Sequence, residues 1–128
     1  MAWYLDTSAF LKLLVNEVES TAMREWAVLH DSLWSSQLLR TESLRAARRL
    51  ALSDDDVETA LESVSLITPS VATFYTAGHL APTSLRSLDA LHLATALEMG
   101  DDLEGLVTYD ERLINASRDV SIFVASPA

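Results

Sequence analysis

The hydrophobic residues of the chain fall into short apolar runs and into longer segments in which they recur every three or four positions. The short runs predict five strands, over residues 3–5, 32–35, 64–67, 106–108 and 121–124. The longer segments predict helices over residues 9–15, 19–30, 37–52, 53–63, 70–79, 87–99 and 110–116. Strands and helices therefore alternate along most of the chain.

This order predicts a fold of the α/β class, with a mainly parallel central sheet of four to five strands and helices on both faces. Parallel neighbours need crossover connections, which the helices supply. No repeat, low-complexity segment or linker interrupts the 128 residues, so a single domain is expected. In sheets of this class the ligand site lies beyond the carboxyl ends of the strands.

Composition excludes several kinds of site. Cysteine is absent, which rules out disulfides, a thiolate nucleophile and a zinc-finger-type site. No apolar run approaches the roughly 20 residues of a membrane helix, and the opening MAWYLDTSAF lacks a basic leader. We therefore expect a cytoplasmic protein without membrane association.

The formal net charge of -10 means that the surface as a whole repels phosphate. We expect no DNA binding by this chain alone, and any contact with nucleic acid must be local. Eight of the nine basic residues are Arg, the side chain suited to bidentate phosphate contacts. Six of the eight Arg lie on one segment (Arg40, Arg45, Arg48 and Arg49) or beside two acids (Arg86 and Arg112). The alternative is that they only balance acids on a solvated surface.

Four acidic residues stand out because of where the pattern places them: Asp6, Glu42, Asp89 and Asp110. Asp6 and Asp110 follow predicted strands, at the edge of the sheet where a ligand would bind. An Asp between a strand and a helix usually caps the helix, however. Taken alone, these two acids are weak evidence for a site.

Glu42 and Asp89 lie on helix faces that also carry apolar residues, which turns both acids toward the core. Such acids need partners, and purely structural ones are available. Arg45 could pair with Glu42, and the amides of the helix start or His92 could pair with Asp89. These pairs would not explain why four separate segments each supply one acid.

Carboxylates that converge in one cleft repel one another unless cations intervene. Oxygen ligands without Cys favour Mg²⁺ or Mn²⁺, which can activate water and hold a scissile phosphate. Thr7, Ser8 and Thr108 form no credible Ser, His, Asp arrangement, and we expect them to orient carboxylates or waters. His92 is interpreted as a packed histidine rather than a general base.

Four segments carry a resemblance to a known family: YLDTSAFLKLLVNE, SSQLLRTESLRA, RSLDALHLATAL and VTYDERL. In this order they resemble the PIN-domain ribonucleases, most closely the VapC-type toxins of bacterial toxin-antitoxin pairs. The resemblance covers essentially the whole chain. The four motifs are individually short but jointly specific.

The resemblance implies a metal-dependent endoribonuclease in which Asp6, Glu42, Asp89 and Asp110 match the acidic quartet of the family. Asp6 and Asp89 would be the most direct ligands of Mg²⁺ or Mn²⁺, with Ser8 and Thr108 as nearby hydroxyls. Similar proteins cleave structured RNA such as tRNA or rRNA, form homodimers and are held inactive by a small VapB-type antitoxin. Arg86 and Arg112 would be placed for RNA phosphate.

Other classes stay open at this point. A phosphotransfer receiver domain is also α/β, binds Mg²⁺ and has about this length, but it needs an acidic pair near the first strand and a Lys after a late strand. The only Lys is Lys12, and Asp6 is followed by Thr7 and Ser8. A haloacid-type phosphatase fails similarly, since it needs a second Asp at position 8. A catalytically silent module with the PIN fold is compatible with the sequence.

Overall fold

A computed structural model describes all 128 residues, Met1–Ala128. The strands are β1 (Ala2–Leu5), β2 (Leu33–Ser36), β3 (Ser65–Ile67), β4 (Leu103–Val107) and β5 (Val124–Ala125). The helices are α1 (Thr7–Leu14), α2 (Ser20–Val28), α3 (Leu38–Arg49), α4 (Asp54–Leu61), α5 (Val71–Gly78), α6 (Ser87–Glu98) and α7 (Glu111–Asp119). A short 3₁₀ turn, Gly100–Asp102, precedes β4.

The five strands form one parallel sheet in the order β3-β2-β1-β4-β5. The predicted α/β class and parallel sheet are confirmed. β1 is the central strand, with Tyr4 opposite Trp34 of β2 and Leu5 opposite Val107 of β4. The carboxyl ends of β1, β2 and β4 therefore lie side by side in the middle of the sheet.

Two hydrophobic cores lie on opposite faces of the sheet, because successive side chains of a strand point to opposite sides. Leu5 packs in one core with Phe10 of α1 and Leu39 of α3. Tyr4 packs in the other core with Leu93 of α6. The helices consequently cover both faces, as the order of elements predicted.

The two C-terminal strands differ most from the pattern. β4 begins at Leu103, three residues before the predicted start at 106. The exposed Glu104 and the small Gly105 interrupt the apolar run, so the hydrophobic pattern did not indicate this part of the strand. A Cβ on Gly105 would lie 2.6 Å from the Trp3 side chain and 2.8 Å from the Phe123 carbonyl, so the position requires glycine. β5 begins at Val124 rather than 121, since Ser121 adopts a positive φ of 64°.

No helix of the structure has both the length and the apolar character to span a bilayer. The longest, α3 and α6, have 12 residues each. At about 1.5 Å per residue such a helix reaches roughly 18 Å, well short of a hydrocarbon core of about 30 Å.

Candidate active site

The four acids lie near the carboxyl edge of the three middle strands. Asp6 directly follows β1, and Asp110 lies three residues after the end of β4. Glu42 is in the second turn of α3, the helix after β2, while Asp89 is in the first turn of α6. Asp6 is 4% exposed, and the side chains of Glu42, Asp89 and Asp110 are 22%, 14% and 25% exposed. The cluster thus has a buried member and three members that reach solvent.

Asp6 is held by hydrogen bonds to both of its carboxylate oxygens. Oδ1 accepts from Ser8 Oγ at 2.7 Å and from the backbone N–H of Ala9 at 3.0 Å, which caps α1. Oδ2 accepts from Thr108 Oγ1 at 2.7 Å. Burial raises the pKa of Asp6 above its ordinary value even though these bonds oppose the shift. The charged form of Asp6 is therefore costly to bury.

The hydroxyls of Thr108 and Ser8 connect Asp6 to the turn that carries Asp110. Thr108 Oγ1 accepts from the N–H of Asp110 at 3.1 Å, and Ser8 Oγ accepts from the N–H of Tyr109 at 2.9 Å. Asp110 Oδ1 accepts from the N–H groups of Arg112 and Leu113 and so caps α7. Both Asp6 and Asp110 are caps, as the structural interpretation held, but Oδ2 of Asp110 takes no part in its cap.

The chain after β5 contacts the same turn. Ser126 Oγ donates to the Thr108 carbonyl at 2.5 Å, and the Tyr109 hydroxyl donates to the Pro127 carbonyl at 2.6 Å. Asp6, the β4–α7 turn and this C-terminal segment are therefore one hydrogen-bonded unit.

Arg86 links Asp89 to Asp110. Its Nε lies 3.1 Å from Asp89 Oδ2, and its Nη2 lies 3.3 Å from Asp110 Oδ2. The structural alternative for Asp89, a pairing with the amides of the helix start or with His92, is not observed, because its hydrogen bond goes to Arg86. Asp89 and Asp110, from segments 21 positions apart, share one cation.

Glu42 belongs to a chain of polar side chains that runs into the second core. Its Oε1 lies 2.6 Å from Nε2 of His92, and Nδ1 of His92 lies 2.7 Å from the Tyr4 hydroxyl. Thr7 Oγ1 is 3.4 Å from the same Nε2. The structural alternative for Glu42, a pairing with Arg45, is not observed, since Arg45 is exposed and makes no ion pair.

The protonation of this chain follows from its surroundings. Burial is the largest influence on the pKa of Glu42 and acts to raise it, but the hydrogen bond and charge of His92, with Thr7 and Arg86, together lower the pKa. Burial raises the pKa of Tyr4, which keeps its hydroxyl protonated. A proton on Nε2 of His92 fits both contacts, since Nε2 then donates to Glu42 and Nδ1 accepts from the Tyr4 hydroxyl.

The chain can now be placed among known proteins. A family model described as "PIN domain" matches residues 3–119. The chain belongs to the PIN-domain family. This membership agrees with the resemblance carried by the four motifs and argues against a receiver-like domain.

The relatives of this PIN domain are VapC proteins. It is 39% identical over 128 residues to ribonuclease VapC46 of Mycobacterium tuberculosis (strain ATCC 25618 / H37Rv), covering 99% of this chain and 98% of the relative. Ribonuclease VapC47 of Mycobacterium tuberculosis (strain CDC 1551 / Oshkosh) is 34% identical over 130 residues, covering 97% and 96%. The chain is thus a PIN domain of the VapC type.

Solved structures share its fold. Mycobacterium tuberculosis VapC20, described as a Sarcin-Ricin loop cleaving toxin, superposes with a TM-score of 0.77 at 14% identity, covering 98% of this chain and 100% of that one. A toxin-antitoxin complex from Klebsiella pneumoniae gives a TM-score of 0.72 at 20% identity, covering 100% and 98%. Both likenesses support the parallel PIN fold.

The acids of this PIN domain do not form a ready-made metal cage, because no three Asp, Glu or His side chains come together closely enough to hold one ion. The donor chemistry nevertheless fits a hard cation. Mg²⁺ keeps several waters and takes only one or two carboxylates, so a pair of acids is enough. Asp89 and Asp110 already attract a shared positive group. The residues present therefore fit Mg²⁺ or Mn²⁺.

The pattern along the sequence missed Tyr4 as a connecting group, and it missed the contact of Arg86 with Asp110. Tyr4 directly precedes Leu5 and Asp6, and a hydroxyl inside an apolar strand was the available signal that a buried partner exists. The resemblance implies only an RNA phosphate role for Arg86. Its contact with Asp110 depends on the tertiary fold, and nothing in the local sequence indicates it.

Proposed function

We propose that this PIN domain is a metal-dependent endoribonuclease and the toxin of a toxin-antitoxin pair. One observation carries the proposal: acids from four separate segments lie near one edge of the sheet, and two of them share a cation. Acids that served only as helix caps or surface charges would not need to lie together in this way. The ribonuclease names of the VapC relatives support the same reaction class.

Asp6, Glu42, Asp89 and Asp110 are proposed to bind Mg²⁺ or Mn²⁺, one or two of them directly and the others through waters that the ion retains. When bound, the metal supplies an activated water and stabilises charge on the scissile phosphate. Asp6 accepts three hydrogen bonds and retains the capacity of a carboxylate for about one more partner. The hydroxyls of Ser8 and Thr108 hold that carboxylate in place, while His92 holds Glu42 and Thr7 contacts the same nitrogen of His92.

The open shape of the region suits a polymer. The two largest surface cavities lie elsewhere, and none of the four acids lines either one. Small-molecule substrates are usually enclosed in such cavities, whereas a strand of RNA can lie across an exposed edge. Arg86 and Arg112, both exposed, are proposed to contact its phosphates locally on an otherwise acidic protein.

The relatives suggest the substrate and the partner. VapC20 is described as cleaving the Sarcin-Ricin loop, and the Klebsiella structure is a complex with an antitoxin. For this chain we propose a structured RNA, tRNA or rRNA, as substrate, a small VapB-type antitoxin as inhibitor, and a homodimer as the active form. An enzyme acting on these RNAs would work in the cytoplasm.

The test is cleavage of purified tRNA and rRNA by the protein free of antitoxin. We expect cutting with Mg²⁺ or Mn²⁺ and loss of cutting on chelation. Asp89→Asn, in which the side chain keeps its shape but loses its charge, should also lose cutting. An absence of cutting with either metal, together with an absence of metal binding by calorimetry, would leave the silent PIN-fold module as the correct interpretation. Gel filtration with light scattering tests the homodimer.

A further inference from the structure

We infer that Arg86 occupies the place of the divalent cation between Asp89 and Asp110, so that it competes with the metal for these two acids. The inference rests on the proposed function, since it concerns the same acids. Arg86 would hold Asp89 and Asp110 before the metal binds, and would contact RNA phosphate only afterwards.

The oxygens of Asp110 show why metal and Arg86 compete. Oδ1 is bound by two backbone N–H groups of α7, and Oδ2 is bound by Arg86 at 3.3 Å. The only oxygen of Asp110 that is free of the helix cap is therefore the one that Arg86 holds. A metal that binds Asp110 without breaking the cap must take this oxygen from Arg86.

Exposure shows that the guanidinium can leave. The Arg86 side chain is 66% exposed, whereas those of Asp89 and Asp110 are 14% and 25% exposed, so Arg86 covers the acids from the solvent side. Its backbone lies at the cap position of α6 and makes no side-chain cap bond. Release of the side chain costs only two exposed ion pairs, which are individually weak.

The released guanidinium would lie beside the metal with all five donors available for phosphate. Arg86 thus opposes the first step, metal entry, and supports the second, binding of RNA phosphate. A variant without the positive charge should change these two steps in opposite directions. A residue that served only the fold would not give such a split.

The experiment measures Mn²⁺ affinity by calorimetry at low ionic strength, where exposed charges are least screened. Arg86→Gln should bind Mn²⁺ about three- to tenfold more tightly than the wild type, which corresponds to the loss of two exposed ion pairs. Arg86→Lys should fall between the two, because an ammonium makes a less directional bridge. Arg45→Gln is the charge-matched control, since Arg45 is exposed, lies one turn from Glu42 and makes no ion pair.

A second measurement follows RNA cleavage at saturating Mn²⁺ in a single turnover. Arg86→Gln should cut at least severalfold more slowly despite its tighter metal binding. Equal or weaker Mn²⁺ binding by Arg86→Gln overturns the inference, and so does an equal gain in Arg45→Gln. Tighter Mn²⁺ binding without RNA cleavage by any form would uphold the competition and refute the nuclease. Absence of Mn²⁺ binding by every form would refute both.

Discussion

His92 Nε2 lies 2.6 Å from Glu42 Oε1, which joins α6 to α3 across the site. His92 is 1% exposed, and its other ring nitrogen faces the Tyr4 hydroxyl. The acid and the tyrosine therefore share one buried imidazole as their partner. Changes along this chain should affect stability and activity separately.

Replacement of His92 by Ala should lower the free energy of unfolding by about 2–4 kcal/mol, because it leaves two polar groups unpaired and opens a cavity. Tyr4→Phe removes one hydroxyl and should cost only about 1 kcal/mol. Glu42→Gln keeps an acceptor for His92, so we expect near-wild-type stability with lost RNA cleavage. Urea denaturation and a cleavage assay check all three, and a large loss of stability in Glu42→Gln would show that His92 needs more than a hydrogen-bond acceptor at position 42.

Asp6→Asn should change the dependence of stability on pH. The raised pKa of Asp6 means that its contribution is fully present below the ordinary value of 3.8 and is lost as pH rises through the folded-state pKa. Asn does not titrate, so the stability of the variant relative to wild type should rise between pH 4 and pH 7. Urea denaturation at both pH values measures this difference, and a relative loss on going to pH 7 would show that the hydrogen bonds outweigh burial.

Two variants of Asp110 should separate its cap from its chemistry. Asp110→Asn retains an oxygen for the N–H groups of α7, so stability should hold while cleavage is lost. Asp110→Ala removes the cap as well and should cost about 1 kcal/mol. Thermal unfolding beside the cleavage assay distinguishes the two roles. Full activity of Asp110→Asn would mean that the residue is only a cap.

Gly105→Ala should destabilise the protein by about 1–3 kcal/mol, because its Cβ would overlap Trp3 and the Phe123 backbone. The matched control is Gly78→Ala at the end of α5, where a Cβ would meet no atom within 4 Å. That change should be neutral or slightly stabilising. Equal effects in denaturant would show that β4 can move away from β1 at no cost.

The sequence was enough for the fold class and the order of elements, because hydrophobic periodicity and parallel crossovers leave few arrangements. It also indicated that Glu42 faces inward, and Leu39 and Ala46 of its helix are indeed buried. The partners of the acids were not predictable in the same way. Glu42 and His92 are 50 positions apart, and Arg86 and Asp110 are 24 apart. Such contacts depend on how α3, α6 and α7 are placed, which local spacing does not encode.

The hydrogen bonds that join Ser126 and the Pro127 carbonyl with the β4–α7 turn have a practical consequence for handling the protein. Any sequence fused after residue 128 begins two residues beyond Ser126, which is hydrogen-bonded to Thr108. The hydroxyl of Thr108 in turn holds Asp6. The chain enters the sheet at Ala2, at the opposite end of β1 from Asp6. Affinity tags and fluorophores therefore belong at the N-terminal side, and a C-terminal fusion that weakens cleavage would report on this anchor rather than on the acids.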